Sequence, residues 1–224
     1  MDISSIEIPG AGVTLRGLEA VPGKARGIPV MMIHENRGLQ PYMVDVIGSL
    51  AAQGHHVIAP DLLTRVGGTS ATAADDALTT RAIGSEIHEA DLIAAFDWFA
   101  ARVDAVAVLG FCFGGEMGWR LVTRRVPDRA VLLYGVGPPP NLVSSIRCPV
   151  YSAYAEDDDR VNRTLPPLLE ALLRGNVDVT AESWPGTRHA FHDHSRPDRH
   201  NPRAAEALWD RVLAFLEGKD SAAS

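Results

Sequence analysis

The sequence predicts an α/β protein with a mostly parallel central sheet flanked by helices on both faces. Three observations carry this. Short apolar runs recur along the chain, each closed by glycine, proline or charge. Between them lie stretches whose apolar residues fall at helical spacing. The two kinds of segment alternate through most of the chain, which is how parallel strands with covering helices are written in sequence. No internal repeat, low-complexity block or linker interrupts the alternation, so residues 1–224 read as one domain.

Composition narrows the function classes. The 224 residues are 46% hydrophobic and 22% charged, ordinary for a globular protein with a substantial core. The net charge of -7, with no basic tract, argues against a nucleic-acid partner. No apolar run is long enough to cross a bilayer, and Met1-Asp2-Ile3-Ser4-Ser5 has no secretory-signal character, so a cytoplasmic location is expected.

Residues 3–8 and 13–20 read as strands joined by Pro9-Gly10-Ala11-Gly12, and residues 28–33 as a buried strand. That strand ends abruptly in His34-Glu35-Asn36-Arg37-Gly38, a polar loop of the kind in which function concentrates. A helix starts near Pro41, with Met43, Val46, Ile47 and Leu50 on one face, and stops at Gly54. Residues 55–59 form the next strand. Residues 62–76, rich in Gly, Thr, Ala and Asp, read as a long loop able to act as a flap. A long helix spans 79–102, its apolar face set by Ile83, Ile87, Ala90 and Ala94. Residues 104–109 are a valine-rich strand and 116–125 a helix. Strands at 130–134, 150–155 and 177–184 follow, with a helix marked by Leu165, Leu168, Leu169 and Leu172. Asn201-Pro202 caps a closing helix whose buried face is Ala205, Leu208, Val212 and Phe215, and 218–224 is a tail.

Gly110-Phe111-Cys112-Phe113-Gly114-Gly115 lies between the valine-rich strand and its helix. A strand, a sharp glycine-flanked turn and a helix are the context of a nucleophile elbow, the core device of α/β-hydrolase sheets, here with cysteine at its centre. Small residues at 110 and 114 let strand and helix approach closely. Cys112 then stands at the C-terminal edge of the sheet and at a helix N-terminus, which favours a thiolate. The bland alternative is a buried structural cysteine beside a glycine-rich turn. Cys148 enters another strand; a Cys112–Cys148 disulfide would silence the elbow, and such bonds are rare in the cytosol.

An elbow nucleophile needs a base and an acid, which follow it in the order acid, base. Asp157-Asp158-Asp159 follows the 150–155 strand and His189 follows the 177–184 strand. Asp158 is preferred because Val161, three residues on, can pack beneath the loop; Asp157 and Asp159 would put Arg160 and Asn162 there. His192-x-His194 reads as a solvated loop rather than a metal site, and no metal or cofactor is expected. The backbone N–H groups of Phe113 and Asn36 are the candidate oxyanion donors. This chemistry suits a small lactone or ester attacked by sulfur to give a thioester.

His34-Glu35-Asn36-Arg37-Gly38, Ala59-Pro60-Asp61-Leu62, the Cys112 elbow, Tyr134-Gly135-Val136-Gly137 and Gly186-Thr187-Arg188-His189-Ala190-Phe191 together resemble the dienelactone hydrolase family. The resemblance runs from about residue 28 to the last helix. It implies a triad of Cys112, Asp158 and His189, and a role for Glu35 beside the thiol in its activation. Read alone, Glu35 is equally a loop ion pair with Arg37. The resemblance also implies that Arg65 holds a substrate carboxylate, a pairing suited to a guanidinium. The family's second arginine, after the histidine motif, is replaced here by His192-Asp193, whose negative charge would repel such a substrate; Arg81 or Arg188 would have to compensate. The expected activity is therefore a cysteine-dependent lactone or ester hydrolase, with dienelactone as leading substrate. The alternatives are an esterase or thioesterase for uncharged substrates, and a thiol redox-sensing or binding module on the same fold.

Overall fold

In the computed structural model, which describes residues 2–69 and 83–219, one eight-stranded sheet organises the chain. The strands are β1 (Ile3–Pro9), β2 (Thr14–Ala20), β3 (Val30–Ile33), β4 (Val57–Pro60), β5 (Ala107–Phe111), β6 (Arg129–Leu133), β7 (Val150–Asp157) and β8 (Val179–Arg188), in the order β1-β2-β4-β3-β5-β6-β7-β8. β1 and β2 pair antiparallel, as do β2 and β4; every pairing from β4 to β8 is parallel. This is the α/β-hydrolase arrangement.

Side-chain alternation splits the core into two layers. Met32, Leu109, Phe111, Val131 and Leu133 face α1 (Pro41–Ala52) and α6 (Pro202–Leu216). Met31, Ile33, Val108 and Leu132 face α2 (Ser85–Ala100), α3 (Phe113–Val122) and α5 (Leu165–Arg174). The central strands are buried on both faces, which is why they read as continuous apolar runs.

Several boundaries differ from expectation for physical reasons. β3 begins only at Val30, because Pro29 has no N–H to donate; its carbonyl still accepts from Ala107. β8 does not stop at Trp184. It runs through Pro185-Gly186 to Arg188, with Gly186 at φ 67° and a register shift opposite Ala155 and Asp157. β8 is an edge strand, where proline is tolerated, and the Gly186 N–H finds the Glu156 carboxylate at 2.8 Å. The expected flap is pinned at its start: Leu62 and Leu63 are buried, and residues 64–66 form a turn of 3₁₀ helix. Its later part, with the expected helix start at 79–82 and Arg81, lies outside the described residues.

In α2 the buried face is His88, Asp91, Leu92, Ala95, Phe96 and Phe99, while Ile87, expected inside, is exposed. Asp91 takes a core position because it accepts from the Ala11 N–H at 2.8 Å and from Arg65. A buried carboxylate on the core side breaks the apolar periodicity from which such a face is read.

Candidate active site

The site forms where β3, β5, β6, β7 and β8 end. β5 turns into α3 at Cys112, whose φ of 54° and ψ of -110° lie where a non-glycine residue is strained. The turn leaves no room for larger neighbours. A Cβ at Gly110 would overlap the Gly114 carbonyl, and one at Gly114 the Ile33 carbonyl. The Cys112 N–H donates to Leu133 O at 3.0 Å, and its own carbonyl receives the first helical bond from Glu116. Cys112 therefore occupies the N-cap position of α3.

β7 and β8 bring the other two residues. Asp157 pairs with Arg188 in register, so Asp158 and His189 are each one residue past the last rung on neighbouring parallel strands. His189 Nδ1 lies 2.5 Å from Asp158 Oδ2, and His189 Nε2 lies 2.9 Å from Cys112 Sγ. Asp158 caps the short helix α4 (Asp159–Asn162), accepting from the Val161 N–H, with Val161 fully buried beneath. Its neighbours point elsewhere: Asp157 is exposed and pairs with Arg188 at 3.2 Å, and Asp159 is exposed.

Electrostatics follow from this packing. Burial alone would lower the basicity of His189. Hydrogen bonds to Asp158 and Cys112, and the charges on both, outweigh it and push the imidazole up to about 9. Burial likewise works against the Asp158 carboxylate, but its bond to His189 prevails and holds it below the usual carboxylate range. The Tyr134 ring, at a positive φ of 41°, meets the His189 ring edge-on at 5.2 Å. Cys148 is different: buried in the core, its thiol is pushed up to about 12, and both cysteines are free.

A cavity of about 640 Å³ opens over Cys112 and His189, lined also by Glu35, Asn36, Phe113, His88, Arg160, Arg196 and Arg199. Both candidate oxyanion residues thus reach it. Phe113 is the first residue of α3, so its N–H has no intrahelical acceptor. Glu35 also lines the cavity, 7% exposed, and burial raises its carboxyl although Arg37 opposes this. Arg37 donates to Glu35 Oε1 from Nε at 3.0 Å and from its backbone N–H at 3.1 Å. His34 steadies the same loop. Its Nε2 accepts from the Leu62 N–H at 3.0 Å, so its Nδ1–H donates to the Glu35 carbonyl at 2.6 Å.

Arg65 is not in the cavity. Its Nε and Nη2 grip both oxygens of Asp91 at 2.8 Å, and Nη2 also donates to the Ala11 carbonyl at 2.7 Å. The expected carboxylate anchor is thus a tie between the turn after β4, α2 and the β1–β2 hairpin. The cavity's cations are instead Arg160, Arg196 and Arg199, which the motif-based reading missed because none of them matches a motif position it used. Asp193 is not an unpaired charge at the site either. It is 2% exposed and held by Arg37 Nη2 at 2.6 Å, with Arg196 Nε at 3.6 Å. His192 is not a solvated loop residue. It packs among Phe111, Tyr42 and Trp209, and burial depresses its basicity to about 4. Arg188, the other possible compensator, is exposed and spent on Asp157.

The dienelactone hydrolase family model matches residues 15–219. A carboxymethylenebutenolidase from a Pseudomonas species is 28% identical over 225 residues, covering 95% of this chain and 93% of that protein. The protein usf of Aquifex pyrophilus is 28% identical over 232 residues, covering 95% and 96%. Among solved structures, a dienelactone hydrolase-like promiscuous phosphotriesterase from metagenomic libraries superposes with a TM-score of 0.82 at 20% identity, covering 96% of this chain and 98% of that one, a likeness of fold.

Proposed function

The chain belongs to the dienelactone hydrolase family and is a carboxylic ester hydrolase, and from that premise we propose that Cys112 is the nucleophile, His189 its base and Asp158 the orienting acid. The observation that carries this is the continuous contact from Asp158 Oδ2 through both His189 nitrogens to Cys112 Sγ, at 2.5 and 2.9 Å.

In this mechanism His189, which its contacts with Asp158 and Cys112 push up to about 9, takes the Cys112 proton as substrate enters. The thiolate attacks the lactone or ester carbonyl, forming a C–S bond, and the carbonyl π electrons move to oxygen. The N–H groups of Phe113 and Asn36 stabilise that oxyanion, each worth about 3 kcal/mol in the transition state. The C–O bond then breaks, and His189 gives its proton to the leaving alkoxide. A thioester remains. Water, deprotonated by His189, attacks it and returns the thiolate and the carboxylic acid. Asp158 holds the ring tautomer and stabilises the imidazolium throughout. Glu35, at the cavity wall, takes part in ionising the thiol when substrate enters. A reducing compartment such as the cytoplasm suits a free catalytic thiol.

The favoured substrate is a small lactone carrying a carboxylate, with dienelactone the leading candidate. Three guanidiniums on the cavity wall support an anion there, in place of Arg65. The test is a panel of charged and neutral lactones and aryl esters run on wild type and Cys112→Ala. The variant is expected to lose at least about 10⁴-fold in kcat while staying folded. Full turnover by that variant would refute a cysteine mechanism.

A further inference from the structure

We propose that Arg37 is a positioning residue: its guanidinium, shared between the carboxylates of Glu35 and Asp193, locks the loop after β3 to the loop after β8. The lock fixes Glu35 and Asn36 opposite Cys112 and His189. The proposal rests on the triad described above and adds to it a part that neither the elbow nor the strand ends contain.

The lock is built in series. Asp193 is anchored on its own loop, where Oδ1 accepts from the Ser195 N–H at 2.9 Å and its hydroxyl at 2.5 Å. Its other oxygen receives Arg37 Nη2 at 2.6 Å. The same guanidinium also donates through Nε to Glu35 Oε1 at 3.0 Å. Both carboxylates are buried, at 7% and 2% exposure, so each needs a cation, and one planar fork serves both. Lysine, a single point charge, could not span them in this geometry.

The placement matters for chemistry. Arg37 directly follows Asn36, and Asp193 is four residues beyond His189. The contact therefore joins, across 156 residues of chain, the wall that carries the oxyanion donor to the loop that carries the base. Misplacing a catalytic group by about 1 Å costs on the order of 10²-fold in rate. Two further ties join α1 to the same loop: Tyr42 to His192 at 2.6 Å and Asp45 to His194 at 3.2 Å. These keep the edge together when Arg37 is removed, so the loss falls on alignment more than on folding.

The experiment measures kcat and KM on an aryl ester for Arg37→Gln, Arg37→Lys, Asp193→Asn, Glu35→Gln and the E35Q/R37Q double variant. Rates are normalised to the reactive Cys112 thiol titrated in the native state, and Cys112→Ala serves as reference. R37Q is expected to lower kcat by about 10- to 100-fold with KM nearly unchanged, and D193N and R37K to lower it less. The charged groups facing Glu35 are Arg37, His34 and Arg196, with the Cys112–His189 pair across the cavity. Removing Arg37 raises the Glu35 carboxyl further. The acid limb of kcat/KM should thus move to higher pH in R37Q and stay in place when R37Q is added to E35Q. The double variant should be no slower than the slower single one.

Wild-type kcat and pH profile in R37Q and D193N, or E35Q and R37Q losses that simply multiply, overturn the proposal. If R37Q yields no titratable thiol, D193N decides on the same criteria. Turnover by C112A would overturn both the triad and the lock. Loss of turnover in C112A beside an unaltered R37Q or D193N overturns the lock alone.

Discussion

Two regions along the C-terminal edge of the sheet hold the same kinds of side chain and differ in what remains available to a substrate. Over β5, β7 and β8, a buried carboxylate holds one nitrogen of His189, and the other nitrogen faces Cys112 in the cavity. Over the β4–α2 connection, a buried carboxylate holds Arg65, but Nε and Nη2 are both consumed, by Asp91 and by the Ala11 carbonyl. In each case burial demands a partner for the acid. Chemistry becomes possible only where that partner keeps a second polar group directed at open space. The first region is thus a site and the second a brace, although each pairs one carboxylate with one nitrogen-bearing side chain.

The largest effect expected inside this comparison comes from Asp158→Asn, which should turn the first region into something like the second. With His189 no longer oriented, kcat should fall by about 10³- to 10⁴-fold, with KM little altered, in steady-state assays on an aryl ester. Stability gives an independent reading. The folded His189 titrates at about 9 against an ordinary 6.5, so its pairing stabilises the fold fully below 6.5 and is lost as pH rises through 9. The urea midpoint of the wild type should therefore carry a decline across that window, and D158N should lose most of it. An unchanged decline in D158N would mean that the Asp158–His189 contact is not what holds the proton.

The two regions were also unequally legible in the sequence. The elbow is a local device: Gly110, Cys112 and Gly114 sit within five residues, and the overlap a Cβ would cause fixes them there. Asp158 was separable from its neighbours because Val161 fills the core beneath it. The brace could not be read this way. Asp91 occupies a core position that apolar periodicity assigns to carbon, so Ile87 was placed inside when it is exposed. Arg65 matched a motif position, but its partner lies 26 residues away on another element. Asp193 looked repulsive for the same reason, since Arg37, which neutralises it, is far off in sequence. The continuation of β8 through Pro185-Gly186 was hidden because that dipeptide ordinarily ends a strand, and only its edge position permits it. Strand ends and tight turns are written locally; ion pairs between elements are not.

A smaller effect should separate the cavity's own cations from the brace. Arg160 lines the cavity, is exposed, and its charge reaches the Asp158 carboxylate. Arg160→Gln should raise KM for a carboxylate-bearing lactone by about fivefold, the scale of an exposed charge pair, and leave a neutral aryl ester unaffected. Added salt should shrink the difference, because an exposed pair is screened. Equal changes on both substrates would remove Arg160 from substrate recognition.

The smallest effect on turnover, and the sharpest on the comparison, is expected from Arg65→Ala. A brace and an anchor predict opposite outcomes. As a brace, Arg65 leaves behind a fully buried Asp91 carboxylate that, among the described residues, keeps the Ala11 N–H alone, so the urea midpoint should fall. Because neither Arg65 nor Asp91 lines the cavity, kcat and KM of the folded fraction should stay within about twofold on charged and neutral substrates alike. Asp91→Asn should do the same more mildly, since the amide still fills the space and can accept from Ala11. As an anchor, Arg65→Ala would raise KM for the carboxylate-bearing lactone by about tenfold or more and spare the neutral ester. That result would mean the guanidinium leaves Asp91 when substrate arrives, and the boundary between site and brace would have to be drawn on the far side of the β4–α2 connection.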